Sequence, residues 1–190
     1  MNKRIEEEID VLQAEIKAKQ KEISDLRSQL ELEEVKDYSL LDAEGNSVLL
    51  SSLFDERNEL LVIHNMGKQC SYCTLWADGF NGFAKPLTDR VPFVVVSPDL
   101  PEVQQAFAAS RGWTFPMLSS NTSSFFADLG FEPKPGIYYP GVSAFIRKDN
   151  KIYRTAHDYF GAGDVYCSVW HLFDLLPNKH GGWHPKIEYK

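Results

Sequence analysis

The sequence predicts an α/β domain on a mixed central sheet, preceded by a long helix, and three observations carry that prediction. Apolar runs at 60–64 and 91–97 alternate with helical segments at 70–85 and 101–110, an order that joins two parallel strands by a right-handed crossover. Residues 141–147 and 152–157 flank the polar turn Lys148-Asp-Asn-Lys151, which makes them an antiparallel pair. The first 34 residues contain no Gly, Pro or aromatic side chain and are dense in Glu, Lys and Gln, the composition of a solvated helix.

The helical arm, residues 1–34, carries Ile5, Ile9, Leu12, Ile16, Ile23, Leu26 and Leu30 in alternating steps of four and three, with Lys19 in the one gap. Ile9, Ile16, Ile23 and Leu30 then stand at heptad position a, and Ile5, Leu12, Lys19 and Leu26 at d. This pattern favours a parallel two-stranded coil and hence a homodimer. The alternative is an amphipathic helix folded back on its own domain. The remaining domain, 35–190, opens with two short extended runs between Tyr38 and Leu50 around a turn containing Gly45, a hairpin signal. Pro86 is expected to stop the helix that starts at Cys70, Gly112 to follow the end of the next, and Asp164 to cap a last helix reaching Leu176.

With 43% hydrophobic residues the chain can build a core, and its formal charge of -7 argues against nucleic acid and anionic membrane surfaces as partners. No segment approaches 18 apolar residues, and the opening Met1-Asn-Lys-Arg-Ile-Glu-Glu-Glu lacks the apolar stretch of a signal peptide. Three cysteines form no disulfide framework. The expectation is a soluble, cytoplasmic protein. Without a Gly-rich phosphate loop, a dinucleotide fingerprint or a nucleophile elbow, no cofactor is expected.

The chemistry concentrates at Cys70 and Cys73, where an apolar strand gives way to a helix. Unpaired amides and the macrodipole at a helix N-terminus favour a thiolate, and two intervening residues keep the sulfurs within bridging reach. Cys70 is then able to attack a disulfide and Cys73 to resolve the product. Lys68 is either a Coulombic aid to the thiolate or a solvated loop lysine, and Asp78 either a solvated carboxylate or a proton relay. The pair also fits half of a zinc site, for which Cys167, His64, His157, His171, His180 and His184 are the remaining candidate ligands; Cys167 and His171, four residues apart, face one side of the last helix, but no second tight pair exists. Cys167 alone reads as a small buried hydrophobe.

The strand, the Cys70-to-Cys73 pair, the following helix and the later antiparallel pair preceded by Tyr139-Pro140 resemble the thioredoxin fold, a three-layer arrangement, and the opening hairpin resembles the redoxin and peroxiredoxin branch. The runs Cys73-Thr-Leu-Trp76-Ala-Asp78-Gly-Phe-Asn81-Gly82 and Tyr139-Pro140-Gly141-Val-Ser143-Ala-Phe-Ile-Arg147, with the charged helix before them, resemble a bacterial thioredoxin-like family catalogued as a domain of unknown function. The resemblance implies an exposed nucleophilic Cys70 and a more buried Cys73. It also implies a cis-proline at Pro140, with Pro116 as second choice, and a substrate-facing surface at Tyr139, Pro140 and Gly141, whose backbone would pair with an extended substrate. Trp76 is a further substrate-side candidate, although with Phe80 it reads most simply as core packing.

Thioredoxins carry a buried acid six residues before the first cysteine. Here His64 stands there, either as the proton partner of Cys73 or as a hydrogen-bonded core histidine. Peroxiredoxins need a Pro and a hydroxyl residue at positions that fall on Ile63 and Gly67, so peroxidase chemistry is disfavoured. The resulting expectation is a thiol-disulfide oxidoreductase acting on a protein or small-molecule disulfide, with a non-enzymatic redox sensor or binding module as the alternative.

Overall fold

The computed structural model describes residues 2–189. Helix α1 (Asn2–Arg27) is followed by β1 (Glu33–Val35), the hairpin of β2 (Ser39–Leu41) and β3 (Ser47–Leu49), and a 3-10 turn at Leu50–Phe54. Then come β4 (Glu59–His64), α2 (Ser71–Gly82), α3 (Ala84–Arg90), β5 (Phe93–Ser97), α4 (Pro101–Arg111), β6 (Met117–Ser119) and α5 (Phe125–Asp128). The chain closes with β7 (Gly141–Lys148), β8 (Lys151–Tyr159) and α6 (Ser168–Phe173). Among the described residues no helix is long and apolar enough to cross a membrane.

The strands form one sheet in the order β1-β8-β7-β4-β5-β6-β2-β3. β4 lies parallel to β5, with His64 opposite Val96, and antiparallel to β7, with His64 opposite Gly141. The turn between β7 and β8 is tight because Asp149 and Asn150 both adopt positive φ, 51° and 59°. Short polar side chains tolerate that conformation without glycine.

Side-chain alternation along β4 separates two apolar layers. Leu60 and Val62 join Leu40, Phe54, Phe125, Phe126, Phe131 and Phe145 on one face. Ile63 joins Trp76, Phe80, Phe93, Trp113, Phe160 and Trp170 on the other, together with Cys73. The second face is covered by α2, α4 and α6 but remains open toward β7 and β8, where an apolar groove of about 500 Å³ runs past Leu61, Phe83, Leu87, Val142 and Ala144. Gly141 has no room for a side chain, since a Cβ would lie 2.2 Å from the Asp158 carbonyl oxygen and 2.6 Å from Phe131.

Two helix ends differ from expectation. Pro86 does not stop the helix begun at Cys70; α2 ends at Gly82 and Pro86 lies in the first turn of α3, where its missing N–H is not needed. The last helix is one turn and a half, Ser168–Phe173, and Asp164 precedes it, accepting hydrogen bonds from the amides of Tyr166 at 3.0 Å and Cys167 at 3.2 Å.

Candidate functional site

Cys70 is the N-cap of α2, and its sulfur accepts a hydrogen bond from the Cys73 amide at 3.1 Å. The cap satisfies one of the four amides that a helix start leaves unpaired, and an anion satisfies it best. The two cysteines are separate thiols, Cys70 partly exposed and Cys73 buried. The Cys73 thiol hydrogen-bonds the Cys70 sulfur, and that contact, with the Cys73 and Tyr72 amides, outweighs burial and lowers the Cys70 pKa to about 7. Cys73 moves the opposite way: burial, its bond to Cys70 and the Cys70 charge push its thiol far up, against a weak bond from the Met66 amide at 3.4 Å. The pair is therefore polarised, one sulfur ready to ionise and the other holding its proton.

The loop that presents Cys70 is tied from below. Asn65 Oδ1 accepts the Gly67 amide at 2.8 Å and Asp99 Oδ2 accepts the Lys68 amide at 2.7 Å. Gly67 has φ of +101°, and a Cβ there would meet Asp99 Oδ1 at 2.8 Å. Asp99 follows β5, whose C-terminal end adjoins that of β4, so two loops leave neighbouring parallel strands on the same edge. That convergence is the signal by which sequence reasoning could have included Asp99.

His64 does not meet Cys73. Its ring is completely buried on the phenylalanine face, stacked on Phe131 at 3.6 Å between centroids and against Phe125 and Phe126. Nε2 is 2.9 Å from Ser143 Oγ, while Nδ1 has no partner. Burial, with the charge of Arg154, lowers its pKa well below the usual histidine range, so the ring is neutral. The expectation of a proton partner fails because strand alternation directs Ile63, not His64, toward α2; the reading that holds is a hydrogen-bonded core histidine.

The predicted cis-proline is corrected as well. Among the described residues no peptide bond is cis, so both Tyr139–Pro140 and Phe115–Pro116 are trans. Pro140 nevertheless lines a small crevice with Cys73, Asn65 and Phe160. The Tyr139 amide already donates to the Phe131 carbonyl at 2.8 Å and the Pro140 carbonyl accepts from Phe160 at 2.9 Å, so these groups are engaged within the chain. Gly141 is buried and pairs with His64 and Tyr159, leaving exposed Tyr139 as the outward-facing member of the group. Trp76 is core, 3% exposed, with its indole N–H donating to Asp164 at 3.3 Å. Asp78 is only partly exposed and is engaged: it binds the Arg111 guanidinium and accepts the Trp113 indole N–H at 2.8 Å.

The carboxyl-terminal segment, which sequence reasoning considered only as a source of zinc ligands at His180 and His184, reaches the dithiol helix. The Tyr72 hydroxyl, between the two cysteines, lies 3.0 Å from His184 Nδ1, and Trp183 packs on Trp170, which in turn stacks with Tyr72. Cys167 is buried in the same aromatic layer, with its thiol pKa raised by burial. Among the described residues no three His, Cys, Asp or Glu side chains converge as a metal site would need.

Comparison with solved structures shows a thioredoxin-like fold of the peroxiredoxin type. Peroxidoxin BcpB from Mycobacterium tuberculosis is 25% identical with a TM-score of 0.52, covering 64% of this chain and 80% of that one. A peroxiredoxin-like protein from Aquifex aeolicus is 17% identical with a TM-score of 0.54, covering 68% and 76%. The hypothetical protein SMc02350 from Sinorhizobium meliloti 1021 is 18% identical with a TM-score of 0.51, covering 83% and 88%. No curated protein matches the chain. Residues 4–185 match the family described as "Bacterial protein of unknown function (DUF899)", and with nearly the whole chain inside that match, the protein belongs to the DUF899 family.

Proposed function

We propose that this protein is a thiol-disulfide oxidoreductase acting through Cys70 and Cys73 on a disulfide-bonded protein or small molecule. One observation carries the reading: the Cys70 sulfur caps α2, accepts the Cys73 amide and has its pKa lowered to about 7, while Cys73 beside it is buried and protonated. A thiol that ionises near ambient pH combines a large thiolate fraction with retained nucleophilicity.

In the proposed cycle the Cys70 thiolate attacks one substrate sulfur, the substrate S–S bond breaks, and a mixed disulfide forms as one substrate thiolate leaves. Cys73 then gives up its proton to that leaving thiolate or to water and attacks the Cys70 sulfur. The second substrate thiolate departs and a Cys70–Cys73 disulfide remains. Two electrons have passed from the dithiol to the substrate, and an external thiol reductant must return them.

The peroxidoxin-like scaffold raises peroxide as a rival oxidant. The position where a peroxiredoxin carries its hydroxyl donor is Gly67, whose φ of +101° and contact with Asp99 leave no place for a threonine. A disulfide is therefore the favoured substrate. Single-turnover reduction of glutathione disulfide by the reduced protein tests this. Turnover is expected in the wild type, lost in Cys70→Ser and arrested as a mixed disulfide on Cys70 in Cys73→Ser. Reversible oxidation without turnover would overturn the enzyme reading in favour of a sensor, and a peroxide reaction far faster than that of free cysteine would overturn it in favour of a peroxidase.

A further inference from the structure

We infer that the protein is a homodimer held by a parallel two-stranded coiled coil of α1 with the α1 of a second copy. The observation that calls for a partner is that α1, 26 residues and about 39 Å long, has no buried residue. Its seam is open along its length: Ile5, Ile9, Leu12, Ile16, Ile23 and Leu26 are between 47% and 58% exposed. The helix therefore does not fold back on its own domain. It is anchored near its end, where Arg27 pairs with Asp158 of β8. An apolar stripe interrupted only at Lys19 on an otherwise charged helix is an interaction surface, and a lone helix of this kind draws little stability from propensity.

The charges flanking the seam select the occupant and its direction. With Ile9, Ile16 and Ile23 at a, the g positions are Glu8, Glu15 and Glu22 and the e positions Glu6, Gln13, Gln20 and Arg27. In a parallel dimer each g faces the next e of the partner, giving Glu8 with Gln13, Glu15 with Gln20 and Glu22 with Arg27, none of them repulsive. An antiparallel dimer would instead line Glu8, Glu15 and Glu22 against one another. Isoleucine at three of the four a positions with leucine at Leu12 and Leu26 of d favours two strands, and the d-position Lys19 acts in the same direction. Its ammonium is held by Glu22 at 2.7 Å and reaches solvent readily from a two-stranded seam. A second copy of this chain is thus the partner that the pattern fits, with both domains at the carboxyl-terminal end of the stem.

Light scattering on the full-length chain over a concentration series tests the inference. A mass of two chains is expected, falling to one chain in Ile16→Lys/Ile23→Lys. Because α1 has no aromatic residue, near-ultraviolet circular dichroism reports the domain alone and should be unchanged in that variant, which separates dissociation from unfolding. Lys19→Leu should tighten dimerisation by about tenfold or more. Ile9→Cys should cross-link to its own counterpart under oxidation, as a parallel register requires. A single-chain mass at about 0.1 mM, a trimer, or a dimer that survives Ile16→Lys/Ile23→Lys would overturn the proposal; the last would move the interface to the apolar groove beside β7.

Discussion

The two faces of the sheet share β4 but are built for opposite purposes. On one, His64, bonded to Ser143, is enclosed by Phe125, Phe126 and Phe131, all fully buried or nearly so. On the other, the layer under α2 holds a polarised pair of thiols at its rim and leaves an open apolar groove along β7 and β8. The titratable ring is sealed inside packed aromatics, and the titratable Cys70 sulfur is partly exposed. The difference teaches that a strand leading into a cysteine-bearing loop can hold that loop through rigid packing on its far side, with its own buried ring turned away from the thiols.

The widest test of this contrast is truncation on each side. Phe131→Ala on the closed face should cost about 3–5 kcal/mol in denaturant unfolding, because Phe131 is 0% exposed and stacks on His64. Phe83→Ala at the groove, where the ring is 40% exposed, should cost about 1 kcal/mol or less. Equal losses would mean that the groove is as tightly packed as the core.

A smaller effect follows from pH. His64 is neutral in the fold and its pKa lies below that of an unfolded histidine near 6.5, so the unfolded chain binds the extra proton as pH falls. Its contribution is complete above about pH 6.5 and is lost below it, at up to about 1.4 kcal/mol per pH unit. Unfolding curves at pH 5 and 7 should show that slope, reduced in His64→Phe to the part from His157, whose pKa burial also lowers. The same substitution should leave the pH dependence of disulfide reduction unmoved.

The smallest expected change is at Tyr72→Phe, which removes the hydroxyl bonded to His184. It should cost about 0.5–1 kcal/mol and speed proteolysis of the segment after α6, while the Cys70 pKa stays near 7 because the Tyr72 amide remains. A large shift in that pKa would tie the carboxyl-terminal segment to the dithiol chemistry.

Much of the architecture was legible because it is written in short-range physics. The apolar runs of β4 and β5, the Pro101 start and Gly112 end of α4, and the Asp149-Asn150 turn each follow from local rules that nothing in the tertiary structure overrides. The position of Cys70 at a helix start was legible for the same reason. Both readings of His64 stayed open in the sequence because a count of six residues says nothing about which face a strand residue takes once a five-residue loop intervenes; only the register with β5 and β7 fixes that. Asp78 was unreadable in role because its partner Arg111 lies 33 residues away and meets it only through the fold. The Pro86 error was one of position, since proline ends a helix in its interior but opens one in its first turn.

The central claim, that fold and helix cap polarise this dithiol, is tested most directly by site-resolved alkylation of the reduced protein across pH 5 to 10 with mass-spectrometric readout. The thiolate is the reacting species, so the Cys70 rate should rise with pH, reach half its plateau near pH 7 and level off above it, with Cys73 unreactive up to at least about pH 9. A Cys70 midpoint at or above about 8.5, the value of an unperturbed thiol, or faster alkylation of Cys73, would contradict the account.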